Sequence, residues 1–245
     1  MNVVAIIQAR MGSTRLTGKV LKDISGKPML WHIINRLRFS KLINKIVVAT
    51  SVNKKDDAIE ALCRKNKIDF YRGSEEDVLD RYYQAAILYK ADYVVRITAD
   101  CPLIDPQVVD KVISGCLKKK NIFDGASNAV RRTFPRGLDT EVFPFSILKT
   151  LWTQVKESSQ REHVTIFMYE NPNLFKLYSV EQERNMSHLR WTVDEEKDLK
   201  LVKEIYNKLY KKKTVFSTED IMRLLERNPY ICDINKDVKQ KVIFR

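Results

Sequence analysis

The sequence predicts an α/β protein: a mainly parallel sheet with helices on both faces. Three observations predict it. Apolar runs of strand length alternate with amphipathic helical stretches through the first half of the chain. Several of these runs are continuously apolar, the mark of strands buried on both sides. A polar loop bearing glycines follows the first run, at the strand end where open sheets of this kind hold their ligands.

The elements follow in order. Residues 3–8 form the first strand, and Pro28 opens a helical stripe of Met29, Leu30, Ile33, Ile34 and Leu37, with proline at a tolerated first-turn position. Residues 45–51 (KIVVATS) form the second strand, 56–67 a helix, 68–72 a short strand, 75–90 a helix, 92–98 (DYVVRIT) a strand, and 106–117 a helix. The rhythm then loosens. A strand is expected over 123–128, and a loop or small antiparallel excursion over 130–145, where Pro135, Gly137 and Pro144 fall. Helices are expected over 146–156, 162–170, 195–210 and 218–227, the last with Thr218 as N-cap, and strands over 175–180 and 189–193. No repeat or low-complexity linker divides the chain, so residues 1–245 are expected to form one domain.

Composition bounds the function. The net charge of +13 calls for an anionic partner or for a lysine-rich surface, and the runs 118–120 and 211–213 fit the latter, following helices whose C-terminal dipole they complement. No nucleic-acid-binding motif accompanies the charge. The four cysteines (Cys63, Cys101, Cys116, Cys232) show no CxxC spacing and the three histidines do not join them, which argues against structural zinc or disulfides and for a reducing compartment. No apolar stretch approaches the roughly 20 residues that span a bilayer. A cytoplasmic protein without membrane or nucleic-acid partners is expected.

The loop after the first strand reads Gln8-Ala9-Arg10-Met11-Gly12-Ser13-Thr14-Arg15-Leu16-Thr17-Gly18-Lys19. From Arg10 it packs three cations, two glycines and three hydroxyls into ten residues. Glycines let backbone amides approach phosphate oxygens, and guanidinium forks grip those oxygens in pairs. Five residues separate Gly12 from Gly18, and Val20 stands where a Walker loop needs Ser or Thr. No G-x-G-x-x-G is present either. Three such cations without an anion would repel one another, so a phosphate ligand is expected, with the loop facing solvent.

This loop resembles the opening of the cytidylyltransferase superfamily that includes CMP-Kdo and CMP-sialate synthetases. It is closer to the spore-coat polysaccharide branch, which usually has Pro where Thr17 stands. Further blocks match in order: 70–82 (FYRGSEEDVLDRY), 96–103 (RITADCPL, with Ala99 where Gly is usual), 136–143 (RGLDTEVF), 161–165 (REHVT) and 190–194 (RWTVD). The resemblance covers essentially the whole chain. It implies a Rossmann-like nucleotide-diphospho-sugar transferase fold and a magnesium-dependent transfer of CMP from CTP to an acidic or phosphorylated sugar, with CTP not secured against GTP.

The resemblance also implies the site. Asp100 and Asp194 would hold Mg²⁺; each also suits a helix-capping role. Arg10, Ser13, Arg15 and Lys19 would bind the triphosphate, with Gly12 giving backbone approach and residues near Ala9 reaching base and ribose. Arg72, Gly73, Ser74, Asp77 and Arg81 would flank the nucleotide, though Asp80 and Arg81 also suit a surface ion pair. Arg96 inside an apolar strand requires a ligand or a buried carboxylate. Asn128, Arg136, Asp139, Glu141, Arg161, Glu162, His163 and Arg190 would serve the acceptor, although 161–163 equally suits a helix-start ion pair. A homodimer is expected, with the inserted segment at about 130–145 across the two-fold beside the acceptor. The rival readings are a glycosyltransferase using Asp139-Thr140-Glu141 as its acid pair and a basic nucleic-acid-binding protein.

Overall fold

The computed structural model describes residues 1–210 and 214–240, so the lysine run at 211–213 lies outside the described residues. Strand β1 (Val3–Gln8) leads through the polar loop and a 3₁₀ turn (Lys19–Leu21) into a small ribbon, β2 (Asp23–Ile24) with β3 (Lys27–Pro28). Helix α1 (Met29–Leu37) follows, then β4 (Lys45–Ser51), α2 (Asp57–Lys65), β5 (Asp69–Gly73), α3 (Val78–Leu88), β6 (Tyr93–Thr98) and α4 (Pro106–Lys119). Lys118 and Lys119 occupy the last turn of α4, as expected of cations at a helix C-terminus.

The second half supplies β7 (Gly125–Ser127), β8 (Glu141–Pro144), α5 (Phe145–Gln154), α6 (Ser158–His163), α7 (Ile166–Glu170), β9 (Leu177–Ser179), α8 (Glu196–Leu209), α9 (Thr218–Arg227) and α10 (Tyr230–Asp233). The main sheet runs β5-β4-β1-β6-β8-β7-β9. Strands β5, β4, β1 and β6 are parallel; β8 lies antiparallel to β6 and β7. The carboxyl ends of β1 and β6 therefore open side by side, Gln8 in register with Thr98.

Pleating sorts the core. Val3, Ala5 and Ile7 join the α1 and α4 residues Leu30, Ile33, Val109 and Ile113 on one face. Val4 and Ile6 join Leu79, Tyr82 and Leu148 on the other. A third cluster, around Phe134, Leu138, Trp191 and Tyr206, anchors α8 and α9 beside the sheet.

Four expectations are corrected. Residues 130–145 are, as expected, a loop with an antiparallel strand, but Phe134, Leu138, Val142 and Phe143 are buried in this chain's own core instead of facing a two-fold. The helix expected over 162–170 breaks at Val164, whose backbone has φ 61 and ψ −62 with Thr165 N–H donating to His163 O at 2.6 Å: a strained γ-turn at a β-branched residue. Residues 189–193 form a single bridge, Arg136 to Arg190, instead of a strand. Helix α9 is capped by Ser217, with Asp220 completing a capping box; Thr218 instead bonds Asp105.

Candidate functional site

A cleft of about 840 Å³ opens at the carboxyl ends of β1 and β6. Its first wall is the loop. Asp56, itself buried, accepts the Met11 N–H at 2.7 Å, and Gly18 N–H closes on Met11 O at 3.2 Å. Gly18 takes φ 65, which suits glycine, and turns the chain into the 3₁₀ segment that carries Lys19 inward.

The cations of this loop are paired, which corrects the expectation of three unpaired charges. Lys19 Nζ donates to Asp100 Oδ2 and Asp194 Oδ1 at 3.0 Å each and to Val193 O at 2.8 Å. Arg15 reaches Asp194 Oδ1 at 2.9 Å, and Arg10 reaches Glu162 at 2.9 Å. Lys19 is also no solvent-facing residue, its side chain being 12% exposed. Burial disfavours its charge, yet Asp100 and Asp194 outweigh that and hold its pKa above the ordinary value. Burial likewise pushes Asp100 up, but Lys19 and the Thr98 hydroxyl, 2.6 Å from Oδ1, hold it below the usual carboxylate range.

Neither carboxylate caps a helix. The N-cap of α8 is Glu195, and that of α4 is Asp105. Asp100 and Asp194 are left facing the cleft. Cys101 beside them has its thiol pushed well up by burial and by Asp100, so it stays neutral.

The opposite wall comes from β8, α6 and α7. Glu141 faces Arg96 across the β6–β8 register and pairs with it at 2.5 Å, so the partner of Arg96 is an internal carboxylate. Glu141 also accepts from Thr165 at 2.9 and 3.0 Å and from Tyr169 at 2.6 Å. Asp139 is ion-paired with Arg132. Both acids of the Asp-x-Glu sequence therefore have protein partners, as Asp100 and Asp194 do. Burial and the neighbouring Arg132 lower the pKa of Arg136, a cation for which an anion would compensate.

The cleft gathers Ala9, Arg10, Gly12, Ser13, Arg15 and Lys19 from the loop. It also gathers Arg81, Asp100, Arg136, Asp139, Glu141, Glu162, His163 and Asp194. Seven candidates lie outside its lining. Arg72 pairs with Glu60 and Asp57 behind β5, and Ser74 hydroxyl caps Asp77 N–H at 3.1 Å. Asp77 is the N-cap of α3 and ties it to α6 through Arg161 at 2.8 Å. Gly73 makes room for Arg81, whose Cγ would lie 2.9 Å from a Cβ there. Asn128 is buried between Leu138 O and Thr140 N–H, and Arg190 pairs with Asp194 and Asp198.

Arg81 is 2% exposed and makes no surface pair; Asp80 instead accepts from the Trp152 indole at 2.9 Å. Its Nε and Nη1, together with Gln8 Oε1 and Arg96 Nε, are buried polar atoms of cleft residues without a hydrogen-bond partner. Sequence reasoning missed Gln8, Thr98, Arg132, Thr165 and Tyr169. Gln8 and Thr98 could have been found, because each ends a buried strand on a polar side chain.

Phosphate chemistry is what this arrangement of charge suits, and the family match places the chain among the nucleotidyltransferases. Comparison with known proteins is narrower. The chain belongs to the cytidylyltransferase family, whose profile matches residues 4–227. It is 41% identical over 245 residues to an uncharacterised protein of Methanocaldococcus jannaschii, covering 98% of this chain and 97% of that one. It is 33% identical over 235 residues to the spore coat polysaccharide biosynthesis protein SpsF of Bacillus subtilis, covering 93% and 95%. A cytidylyltransferase structure from Leptospira borgpetersenii superposes with a TM-score of 0.90 at 35% identity, each chain covered to 99%.

Proposed function

We propose that the protein transfers CMP from CTP to an acidic or phosphorylated sugar with release of pyrophosphate, using Mg²⁺, for polysaccharide or glycoconjugate synthesis. The observation that carries this reading is the convergence of Asp100 Oδ2 and Asp194 Oδ1 on one cation position, each 3.0 Å from Lys19 Nζ, at the end of the phosphate loop. Two carboxylates suit Mg²⁺, which completes its octahedron with water and phosphate oxygens. No cluster of three or more His, Cys, Asp or Glu among the described residues could hold a metal, so the donor set does not suit zinc. Held by these carboxylates in place of the Lys19 ammonium, which would turn to the phosphates, magnesium would neutralise phosphate charge and polarise the α-phosphate.

The protein's own groups do the rest. Arg10, Arg15 and Lys19 counter the triphosphate charge, and the Gly12 amide has open approach to it. Arg132 and Arg136 on the opposite wall offer an anionic acceptor its counter-charge, and the buried donors of Arg81 gain a partner when an anion enters. An acceptor hydroxyl oxygen bonds to the α-phosphorus as its proton passes to solvent, the bond to the bridging oxygen breaks, and pyrophosphate leaves with the loop cations as its counter-charge. No helix among the described residues is long and apolar enough to cross a membrane; a cytoplasmic site of action is part of the proposal. The homodimer belongs to this proposal too. The buried Phe134 and Phe143 are unavailable to its two-fold contact, and light scattering over a concentration series tests it.

The test of the reaction is a screen of the four nucleoside triphosphates against acidic and phosphorylated sugars, with pyrophosphate detection. Release with CTP and one acceptor class supports the proposal; release only with another nucleotide overturns the choice of CTP. Glycosyl transfer from a sugar nucleotide without pyrophosphate overturns the reaction.

A further inference from the structure

Asp194 presents two different oxygens. Oδ1 is shared by Lys19 at 3.0 Å and Arg15 at 2.9 Å and faces the cleft side. Oδ2 accepts from Arg190 Nη2 at 2.9 Å. Arg190 is in turn clamped on Asp198, with Nε on Oδ1 at 3.0 Å and Nη2 on Oδ2 at 3.1 Å. Its Nη1 donates to Gln240.

Asp198 does more than hold Arg190. Its side chain is fully buried, and its Oδ2 accepts the Asp194 N–H at 2.9 Å and the Glu195 N–H at 3.0 Å. Asn235 donates to its Oδ1 at 2.8 Å. Asp198 therefore grips Asp194 twice, through the main chain and through the Arg190 guanidinium. A capping box alone would need neither the arginine nor a second contact on the preceding residue.

We infer that Arg190 and Asp198 are positioning residues for Asp194: they fix its Oδ2 and backbone so that Oδ1 alone points at the cation position it shares with Asp100. The inference rests on the proposed metal role of Asp194. It gives Arg190, which lies outside the cleft lining, a task other than touching the acceptor. A metal's carboxylate ligand is itself commonly oriented by a fixed hydrogen-bond partner. With Arg190 tethered, its charge is divided between two acids and does not fully neutralise Asp194. Losing Asp198 would free it to do so and release the Asp194 main chain.

The test is Mn²⁺ affinity, measured by electron paramagnetic resonance on the full chain with α,β-methylene-CTP bound. Asp198→Asn and Arg190→Met should each weaken Mn²⁺ binding by about tenfold or more, the range typical of such partners. Arg190→Lys should restore part of the loss. Leu201→Ala, which thins the buried face of α8 without touching a charge, should lower stability and leave Mn²⁺ affinity unchanged. If Asp194→Asn weakens Mn²⁺ binding while Asp198→Asn and Arg190→Met stay within about twofold of wild type, below that same range, the inference is overturned and the metal reading stands. If Asp194→Asn leaves Mn²⁺ binding unchanged, the metal reading itself fails. Equal losses in Leu201→Ala and Asp198→Asn would reduce the effect to stability and overturn the inference.

Discussion

The Val193 amide donates to the Asp100 carbonyl at 2.8 Å, tying two segments far apart in sequence and setting the spacing between Asp100 and Asp194. The tie depends on a glycine. Gly137 takes φ 104, and a Cβ there would lie 2.6 Å from Thr192 N and from Trp191 C. Gly137→Ala must therefore push the 191–194 segment off its seat. The expected loss is about 2 kcal/mol or more, from strain plus a clash with main chain that cannot swing aside. Urea denaturation at neutral pH measures it, and a stability equal to wild type would show that the segment is not seated against Gly137.

Lys19→Ala should destabilise the protein when no divalent cation is present. Asp100 and Asp194 have side-chain exposures of 25% and 13% and would be left facing each other across the vacated ammonium. Removing one partner of a hydrogen-bonded charge costs about 1–3 kcal/mol. Added Mg²⁺ should return part of that loss. Arg15, at 38% exposure, should cost under about 1 kcal/mol when changed to Ala. Both variants should bind CTP more weakly. Thermal melts with and without Mg²⁺ and a CTP titration separate these effects; CTP affinity unchanged in both variants would remove the loop from nucleotide binding.

Asp100→Asn should lower kcat by about a hundredfold or more while the apparent affinity for CTP changes little, since charge stabilisation at a metal centre is worth several kcal/mol. The amide keeps the shape and the Thr98 contact. Near-normal turnover at saturating Mg²⁺ would count against Asp100 as a ligand.

His32 makes stability fall as the solution is acidified. It is 1% exposed, its Nε2 lies 2.6 Å from Ile24 O, and the rings of Trp31, Tyr206 and Tyr210 surround it. Burial lowers its pKa below 6.5, and nearby Arg36 adds to this against the Ile24 contact. The unfolded chain thus binds a proton more readily than the folded one. The neutral ring's contribution is complete above pH 6.5 and is lost as pH falls from there through the lowered folded value. His32→Gln should flatten that slope in urea melts between pH 7.5 and pH 5; identical slopes would mean that His32 does not titrate differently on folding.

The parts legible in the sequence were those where local pattern and chemistry coincide. Buried strands ending on Gln8 and Thr98 gave the sheet, and cations set among glycines marked the loop that lines the cleft. Asp100 was singled out by the resemblance and by its place just past a strand end, and the structure sets it on the cleft. The 70–82 block misled in detail because its polar residues build the β5–α3 junction: Arg72, Ser74 and Asp77 have protein partners that only tertiary structure supplies. Tyr169 was hidden in the run Ile166-Phe167-Met168-Tyr169, where a phenol looks like core until its contact with Glu141 is seen. The break at Val164 had no signal at all, since a β-branched residue is a poor indicator of positive φ.

Arg96 and Glu141 should prove strongly coupled. They sit opposite each other on β6 and β8, 15% and 11% exposed, and Glu141 also anchors Thr165 and Tyr169 on the wall of the cleft. Glu141→Ala leaves a guanidinium stranded in an apolar strand, with Nε already lacking a partner, so a loss of about 3–5 kcal/mol is expected. Arg96→Met leaves the carboxylate with two hydroxyl donors, Thr165 and Tyr169, and should cost less. The double variant Arg96→Met with Glu141→Leu removes both charges and fills the space with apolar atoms, so it should be more stable than Glu141→Ala alone. Urea denaturation of Arg96→Met, Glu141→Leu and the double variant completes the cycle. If the two single losses add to the double loss within about 0.5 kcal/mol, the pair is not coupled, and Glu141 must hold the α7 wall without help from Arg96.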